Sequence, residues 1–186
     1  MKIHQLTKKY GDRVALPPLS AEFPAGQTTV IMGASGCGKT TLLRLLLGLE
    51  KPDGGKITEA PAVMAAVFQE DRLCEDFSPA ENLRMVVGKD PAIGTHLAEL
   101  GLLSCAHQPV RELSGGMRRR VAIARAMLDP AEAVLLDEPF KGLDDGTRRS
   151  VMEYVKRHAD GRTLVLVTHE EKEAAFFAED GNLVRL

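Results

Sequence analysis

Two segments of the 186-residue chain place glycines where a regular element would not choose them, each beside groups able to hold an anion. The first is Gly33-Ala34-Ser35-Gly36-Cys37-Gly38-Lys39-Thr40, a G-x-x-x-x-G-K-[ST] run. Triphosphate oxygens need many donors at close range, so glycines that let the backbone curl its N–H groups inward, ahead of a helix N-terminus, suit them. In that arrangement Lys39 would lie against the β- and γ-phosphates, Thr40 would offer its hydroxyl to magnesium, and Thr41 would reach the α-phosphate. The second segment is Leu113-Ser114-Gly115-Gly116-Met117. Two glycines in a first helical turn cost about 1 kcal/mol each against alanine, and bare amides are the reason to keep them. With Ser114 as N-cap they make a second anion site, which a nucleotide already held at Lys39 does not need. Two such sites in one chain imply two chains sharing each nucleotide.

A third run, Ala133-Val134-Leu135-Leu136-Asp137-Glu138, ends in two acids just before Pro139. It delivers both carboxylates to the carboxyl edge of a buried strand, where parallel sheets place their ligands. Asp137 would bind magnesium opposite Thr40, directly or through water; Glu138 points elsewhere and would hold an attacking water as general base. Alone, an acidic strand end is commonly a solvated corner. The phosphate loop gives this one its meaning.

These residues must be positioned by alternating elements. Strand signals lie at Lys2–Gln5, Leu19–Phe23, Thr28–Met32, Lys56–Thr58, Val63–Phe68, Val134–Asp137, Leu164–Thr168 and Leu183–Leu186. Helical periodicity marks Lys39–Leu49, Ser114–Leu128, Thr147–His158 and Glu170–Ala178. The later half thus reads strand, helix, strand, helix, strand, the order of a buried parallel sheet in an α/β fold. Residues 71–112 lack a convincing strand, carry helical candidates at Ala80–Val87 and Thr95–Leu103, and are punctuated by Pro79, Pro91 and Pro109, so a short helical insertion within one domain of 1–186 is expected. In the helix after Ser114, Met117, Val121, Ala124 and Leu128 form an apolar stripe. Arg118, Arg119, Arg120 and Arg125 lie mainly off it and are read as a solvated or interface face rather than a nucleic-acid patch.

Composition excludes several classes. At 44% hydrophobic residues the chain can bury a core, and with 4% aromatics and no Trp that core must be aliphatic. A net charge of -2 supplies no basic field for nucleic acid or an anionic membrane. The best apolar run, Leu42–Leu49, is interrupted by Arg44 and falls short of a span, and Met1–Tyr10 does not read as a secretory signal. Cys37, Cys74 and Cys105 form no C-x-x-C pair, which fits a reducing cytoplasm.

Together these motifs resemble the nucleotide-binding subunit of an ABC transporter, a P-loop ATPase core of mixed sheet and flanking helices with a short helical subdomain inserted and a small antiparallel β part at the N-terminus. By that resemblance Gly33–Thr41 are similar to the Walker A loop, Asp137 and Glu138 to Walker B, and Leu113–Met117 to the signature motif. Tyr10 resembles the aromatic that stacks on adenine, and Gln69 the glutamine that touches magnesium and water and reports to the membrane subunit. Asp144, in Gly142-Leu143-Asp144, resembles the D-loop acid, and His169 the switch histidine that contacts the γ-phosphate. Met117 stands where the family usually has Gln, and Lys141-Gly142 where Ser-Ala is commoner; both departures bear on the dimer interface.

The resemblance implies ATP and Mg2+ as ligands, a second copy of the chain in an ATP sandwich, separate transmembrane permease subunits, and a solute-binding protein in an importer. It implies no nucleic acid, and a peripheral place on the inner face of the cell membrane. Only 17 residues follow His169, so no C-terminal regulatory domain is expected. The Asp137–Phe140 run and Glu173-Ala174 are similar to bacterial importers of nitrate, sulfonate and taurine. Two rivals stand beside this reading: an ABC ATPase for lipoprotein release or cell-division signalling, and a soluble P-loop ATPase without a membrane partner.

Overall fold

The alternating signals resolve, in chain order, into β1 (Lys2–Tyr10), β2 (Arg13–Glu22), β3 (Thr28–Met32), α1 (Lys39–Leu46), β4 (Gly54–Thr58), β5 (Met64–Val67), α2 (Pro79–Val87), α3 (Ala92–Glu99), α4 (Gly115–Leu128), β6 (Ala133–Asp137), α5 (Asp145–His158), β7 (Thr163–Thr168), α6 (Glu171–Ala178) and β8 (Asn182–Arg185). The computed structural model describes residues 1–159, 161–178 and 181–186. It divides into one unit of Met1–Met64, Glu132–Glu138 and Gly161–Leu186 and a second of Ala65–Ala131 and Pro139–Asp160. Among the described residues no helix is long and apolar enough to cross a membrane.

In the first unit β6, β7, β3 and β8 lie side by side in that order, all parallel. β6 and β7 are buried along their whole length and β3 nearly so, as strands covered on both faces must be. The register sets Asp137 opposite Val167 and Met32 opposite Thr168. Gly33, Glu138 and His169, one residue further on, therefore leave the sheet at the same carboxyl edge. Ile31, Leu135, Val165 and Val167 pack with Leu42, Leu43, Leu45 and Leu46 of α1 and with Ile3, Leu6, Leu16 and Phe23. This cluster holds one phenylalanine among aliphatics, in keeping with the scarcity of aromatics in the composition.

The antiparallel sheet has the order β2-β1-β4. Both of its first strands are longer than the sequence signals at Lys2–Gln5 and Leu19–Phe23. Gln5 takes φ 48° and breaks the register between Ile3 and Leu6, which scrambles the alternation a strand is recognised by. Gly55 lies across from it, where a Cβ would stand 2.3 Å from the Gln5 carbonyl oxygen. Pro17 and Pro18 are tolerated because β2 is an edge strand. α1 stops at Leu46 rather than Leu49, since Gly48 at φ 68° lets the Leu49 N–H turn back to the Arg44 carbonyl at 2.9 Å.

In the second unit residues 71–112 hold α2, α3 and two 3₁₀ turns, with no strand. Ser78 and Glu81 form a reciprocal capping box that starts α2 at Pro79. α3 runs over Ala92–Glu99 instead of Thr95–Leu103: it starts after Pro91, and Gly101 at φ 66° ends it. α5 begins two residues earlier than its periodicity, because Asp144 caps it. In α4 the arginine reading is corrected at Arg119, which is 4% exposed and bonded within the fold rather than solvated. The apolar stripe widens with it: Val121, Ala122, Ile123 and Ala124 are all buried.

α3 and α5 are joined by an aromatic and ionic cluster. His96, 8% exposed, sets Nδ1 2.5 Å from the Tyr154 hydroxyl, and the His158 ring lies 4.5 Å from His96 and 4.4 Å from Tyr154. His158 Nε2 reaches the Glu99 carboxylate at 3.0 Å and Arg157 approaches it at 3.5 Å. The hydrogen bond from His158 holds the Glu99 carboxyl below its ordinary value, with the charges of His158, Arg157 and His96 assisting against burial.

Tyr154→Phe removes a hydroxyl facing a buried imidazole nitrogen and should lower unfolding free energy by about 1–3 kcal/mol in urea titration, with the m-value unchanged. Because the folded pKa of Glu99 is depressed, its contribution is present above the ordinary value of 4.5 and is lost as pH falls through the folded value. Glu99→Gln should flatten the acid limb of the stability profile, measured by denaturant midpoint between about pH 3 and 7.

Candidate functional site

The glycines of the first motif have steric causes. A Cβ on Gly33 would stand 2.6 Å from Cys37 Sγ and 2.9 Å from the Leu186 carbonyl oxygen; one on Gly38, at φ 103°, would stand 2.3 Å from the Ala15 carbonyl oxygen. The loop therefore curls tightly between β3 and α1, with Ala34, Ser35 and Gly36 exposed on its crest. Lys39, the first residue of α1, is 6% exposed, and its Nζ donates to the carbonyls of Gly33 at 2.7 Å and Ala34 at 2.9 Å. An ammonium thus lies against the glycine loop at a helix N-terminus, the setting a polyphosphate binds.

Thr40 follows, and its hydroxyl donates to Asp137 Oδ2 at 2.7 Å. Asp137 is wholly buried at the end of β6. A hydroxyl and a carboxylate are hard oxygen donors, the kind magnesium takes in ones and twos alongside phosphate and water. Among the described residues no group of three His, Cys, Asp or Glu could hold a metal by itself.

Glu138 adopts φ 47°, unusual for a residue with a side chain, and its N–H donates to the Val167 carbonyl at 2.9 Å. The turn swings its carboxylate to the imidazole of His169, with Nδ1 at 3.1 Å. The other ring nitrogen of His169 lies 3.6 Å from Glu170. A carboxylate paired with an imidazole at a sheet edge can accept a proton from water and orient it. The sequence reading did not find what fixes the histidine loop: the Thr168 hydroxyl accepts the Glu170 N–H at 3.0 Å and donates to Glu173, 5% exposed on α6.

Tyr10 ends β1, the residue 47% exposed and its hydroxyl donating to the Glu50 carboxylate. That bond, ahead of burial, raises the phenol above its ordinary pKa, while a hydrogen bond from Thr41 opposes it. The aromatic is thereby tied to the phosphate loop, and Lys8 stands 5.5 Å from the ring centroid. The first unit therefore brings together Tyr10, Gly33–Thr41, Asp137, Glu138 and His169.

Gln69, Ser114, Gly115, Gly116 and Asp144 belong to the second unit. Gln69 is exposed just after β5. Ser114 caps α4, its Oγ accepting the Met117 N–H at 3.3 Å. A Cβ on Gly115 would meet nothing within 4 Å, so this chain's own packing does not demand that glycine. Asp144 accepts the Thr147 N–H at 3.0 Å, and such backbone bonding lowers its pKa. Arg119 went unrecognised because its acceptors lie far away in sequence: the carbonyls of Phe68, Gln69 and Pro139 and the carboxylate of Asp71.

The chain is similar to known proteins along nearly its whole length. The profile of the family described as ABC transporter matches residues 16–141. The aliphatic sulfonates import ATP-binding protein SsuB 2 of Paraburkholderia xenovorans is 41% identical over 188 residues, covering 96% of this chain and 74% of that protein. The Fe(3+) ions import ATP-binding protein FbpC of Pseudomonas fluorescens is 37% identical over 207 residues, covering all of this chain and 58% of its own length. Among solved structures, the dimeric post-hydrolysis state of the ATP-binding cassette MJ0796 bound to ADP and Pi superposes with a TM-score of 0.85 at 27% identity, over 100% of this chain and 93% of that one. With relatives aligned along nearly its whole length, and the profile spanning both the phosphate loop and the acidic strand end, the chain belongs to the ABC transporter family as an ATP-binding, ATP-hydrolysing subunit.

Proposed function

We propose that this ATPase powers uptake of a small solute through separate permease subunits, the solute being of the sulfonate class for which its relative in Paraburkholderia xenovorans is named. The observation that carries the chemical part is the common carboxyl edge of β3, β6 and β7, where Lys39, the Thr40–Asp137 pair and the Glu138–His169 pair meet. Lys39 and the loop amides hold the β- and γ-phosphates, and the Tyr10 ring takes the adenine face. Thr40 and Asp137 would hold Mg2+, with Gln69 a further contact by the family resemblance alone, and the ion would neutralise phosphate charge. Glu138 accepts the proton of the attacking water, and His169 steadies both that carboxylate and the γ-phosphate.

Ser114, Gly115 and Gly116 serve the nucleotide of a second copy, with Asp144 at the same interface. The support is Gly115, which weakens its own helix for no steric reason within the chain. Binding then closes two copies around two nucleotides, and hydrolysis releases them. Residues 71–112 bear on the permease, so the phosphate state sets its access, and the ATPase is held at the membrane through that partner. A solute-binding protein would deliver the cargo. The whole of 1–186 acts as one domain in this cycle.

Glu138→Gln should leave ATP binding within about twofold and cut hydrolysis by about 10² or more, and sedimentation should show a dimer with ATP and monomer without it. A rate near wild type would remove Glu138 as the base. Gly115→Ala should raise the thermal midpoint, since alanine favours the helix by about 1 kcal/mol, while lowering ATPase activity about tenfold or more. Unchanged activity in a stabilised variant would mean that nothing approaches Gly115 from outside.

A further inference from the structure

Arg119 carries a charge into the second unit, where its guanidinium meets backbone carbonyls and one acid. Nε donates to the Pro139 carbonyl at 2.9 Å; Nη1 donates to the Phe68 carbonyl at 2.5 Å, the Gln69 carbonyl at 3.3 Å and the Asp71 carboxylate at 3.1 Å. Its side chain is 5% exposed and that of Asp71 25% exposed, so the charge is balanced where water is scarce. The carbonyls on either side of the Gln69 peptide unit are thus held by α4, and so is the residue that follows Glu138. Arg119 lies three and four positions beyond Gly116 and Gly115, about one helical turn, with no flexible segment between.

We propose that Arg119 is a positioning residue that couples the two nucleotide sites of a dimer: engagement of Ser114–Gly116 by the second copy's nucleotide is passed along one turn of α4, through the guanidinium, to the main chain of Gln69 and Pro139. The inference rests on the roles assigned above to Gln69 and to Ser114–Gly116. A buried guanidinium suits the task because its donors are fixed in one plane, so several carbonyls must move with the helix together. A lysine offers one compact donor centre and would leave most of them unheld. Asp71 supplies the countercharge without which the arrangement would be costly.

The test is a double-mutant cycle on the full chain with Mg-ATP, reading kcat, KM, the Hill coefficient for ATP and, separately, the affinity of the monomer for a fluorescent ATP analogue. Arg119→Gln should lower kcat about tenfold or more and bring the Hill coefficient toward one, with monomer affinity changed less than about twofold. Gln69→Ala should lower kcat as well, and adding Arg119→Gln to it should change kcat no further. Arg119→Lys should behave like Arg119→Gln, and it carries the cycle if the glutamine variant does not fold. Additive losses in the double variant, or a Hill coefficient unchanged in Arg119→Gln and Arg119→Lys, would overturn the coupling while leaving the role of Gln69 standing. An unaltered kcat in Gln69→Ala alone would overturn the Gln69 assignment, and the coupling through it.

Discussion

Asp137 puts a carboxylate where no surface of the residue reaches solvent, at the end of a strand otherwise made of Ala, Val and Leu. A charge so placed is costly unless it is met by polar partners. The Thr40 hydroxyl at 2.7 Å is such a partner, and it can be there only if β3, the glycine loop and the start of α1 are in register with β6. The parallel ladder provides that register through β7, with Asp137 opposite Val167 and Met32 opposite Thr168. Much of the first unit can be understood as the apparatus that holds this one oxygen pair: an aliphatic core under α1, and glycines at 33 and 38 because side chains there would collide with the loop or with Ala15.

The same ladder distributes the rest of the chemistry. Since the strand ends are level, the residues just beyond them emerge together, and small departures from regular backbone decide what each one faces. The left-handed turn at Glu138 takes its carboxylate off the strand axis toward His169. Thr168 and Glu173 then secure the loop that carries the imidazole. Charge, hydrogen bonding and backbone strain are gathered within a few residues of one sheet edge, which is where an enzyme concentrates what a stable scaffold would avoid.

What could be read before folding followed from how local each signal was. The glycine loop between β3 and α1 was legible because glycine spacing, Lys39 and the flanking periodicities are contiguous, and the strand-end place of Asp137 because an unbroken apolar run ending at Pro139 leaves few places for an acid to go. Strand lengths were not: Gln5 interrupts the alternation of β1, and Pro17 and Pro18 argue against a strand until β2 is known to be an edge. Reading Arg119 as part of a solvated or interface face failed for a deeper reason. Helical periodicity sorts residues by the average polarity of a face, and a buried cation satisfied by carbonyls about fifty positions upstream leaves no trace in that average. The tie of Tyr10 to Glu50 and the His96–Tyr154 contact were hidden in the same way, each pairing residues that sequence distance conceals.

The backbone of Glu138 sets stability against activity at a single position. A side chain held at φ 47° costs about 1 kcal/mol that glycine would not, and the Glu138 N–H bond to Val167 needs no side chain at all. Replacement of this residue by glycine therefore relaxes the fold while deleting the carboxylate. Selection for heat resistance alone, without a demand for turnover, would be drawn toward that exchange and would return a sturdier protein stripped of the carboxylate proposed here as the base.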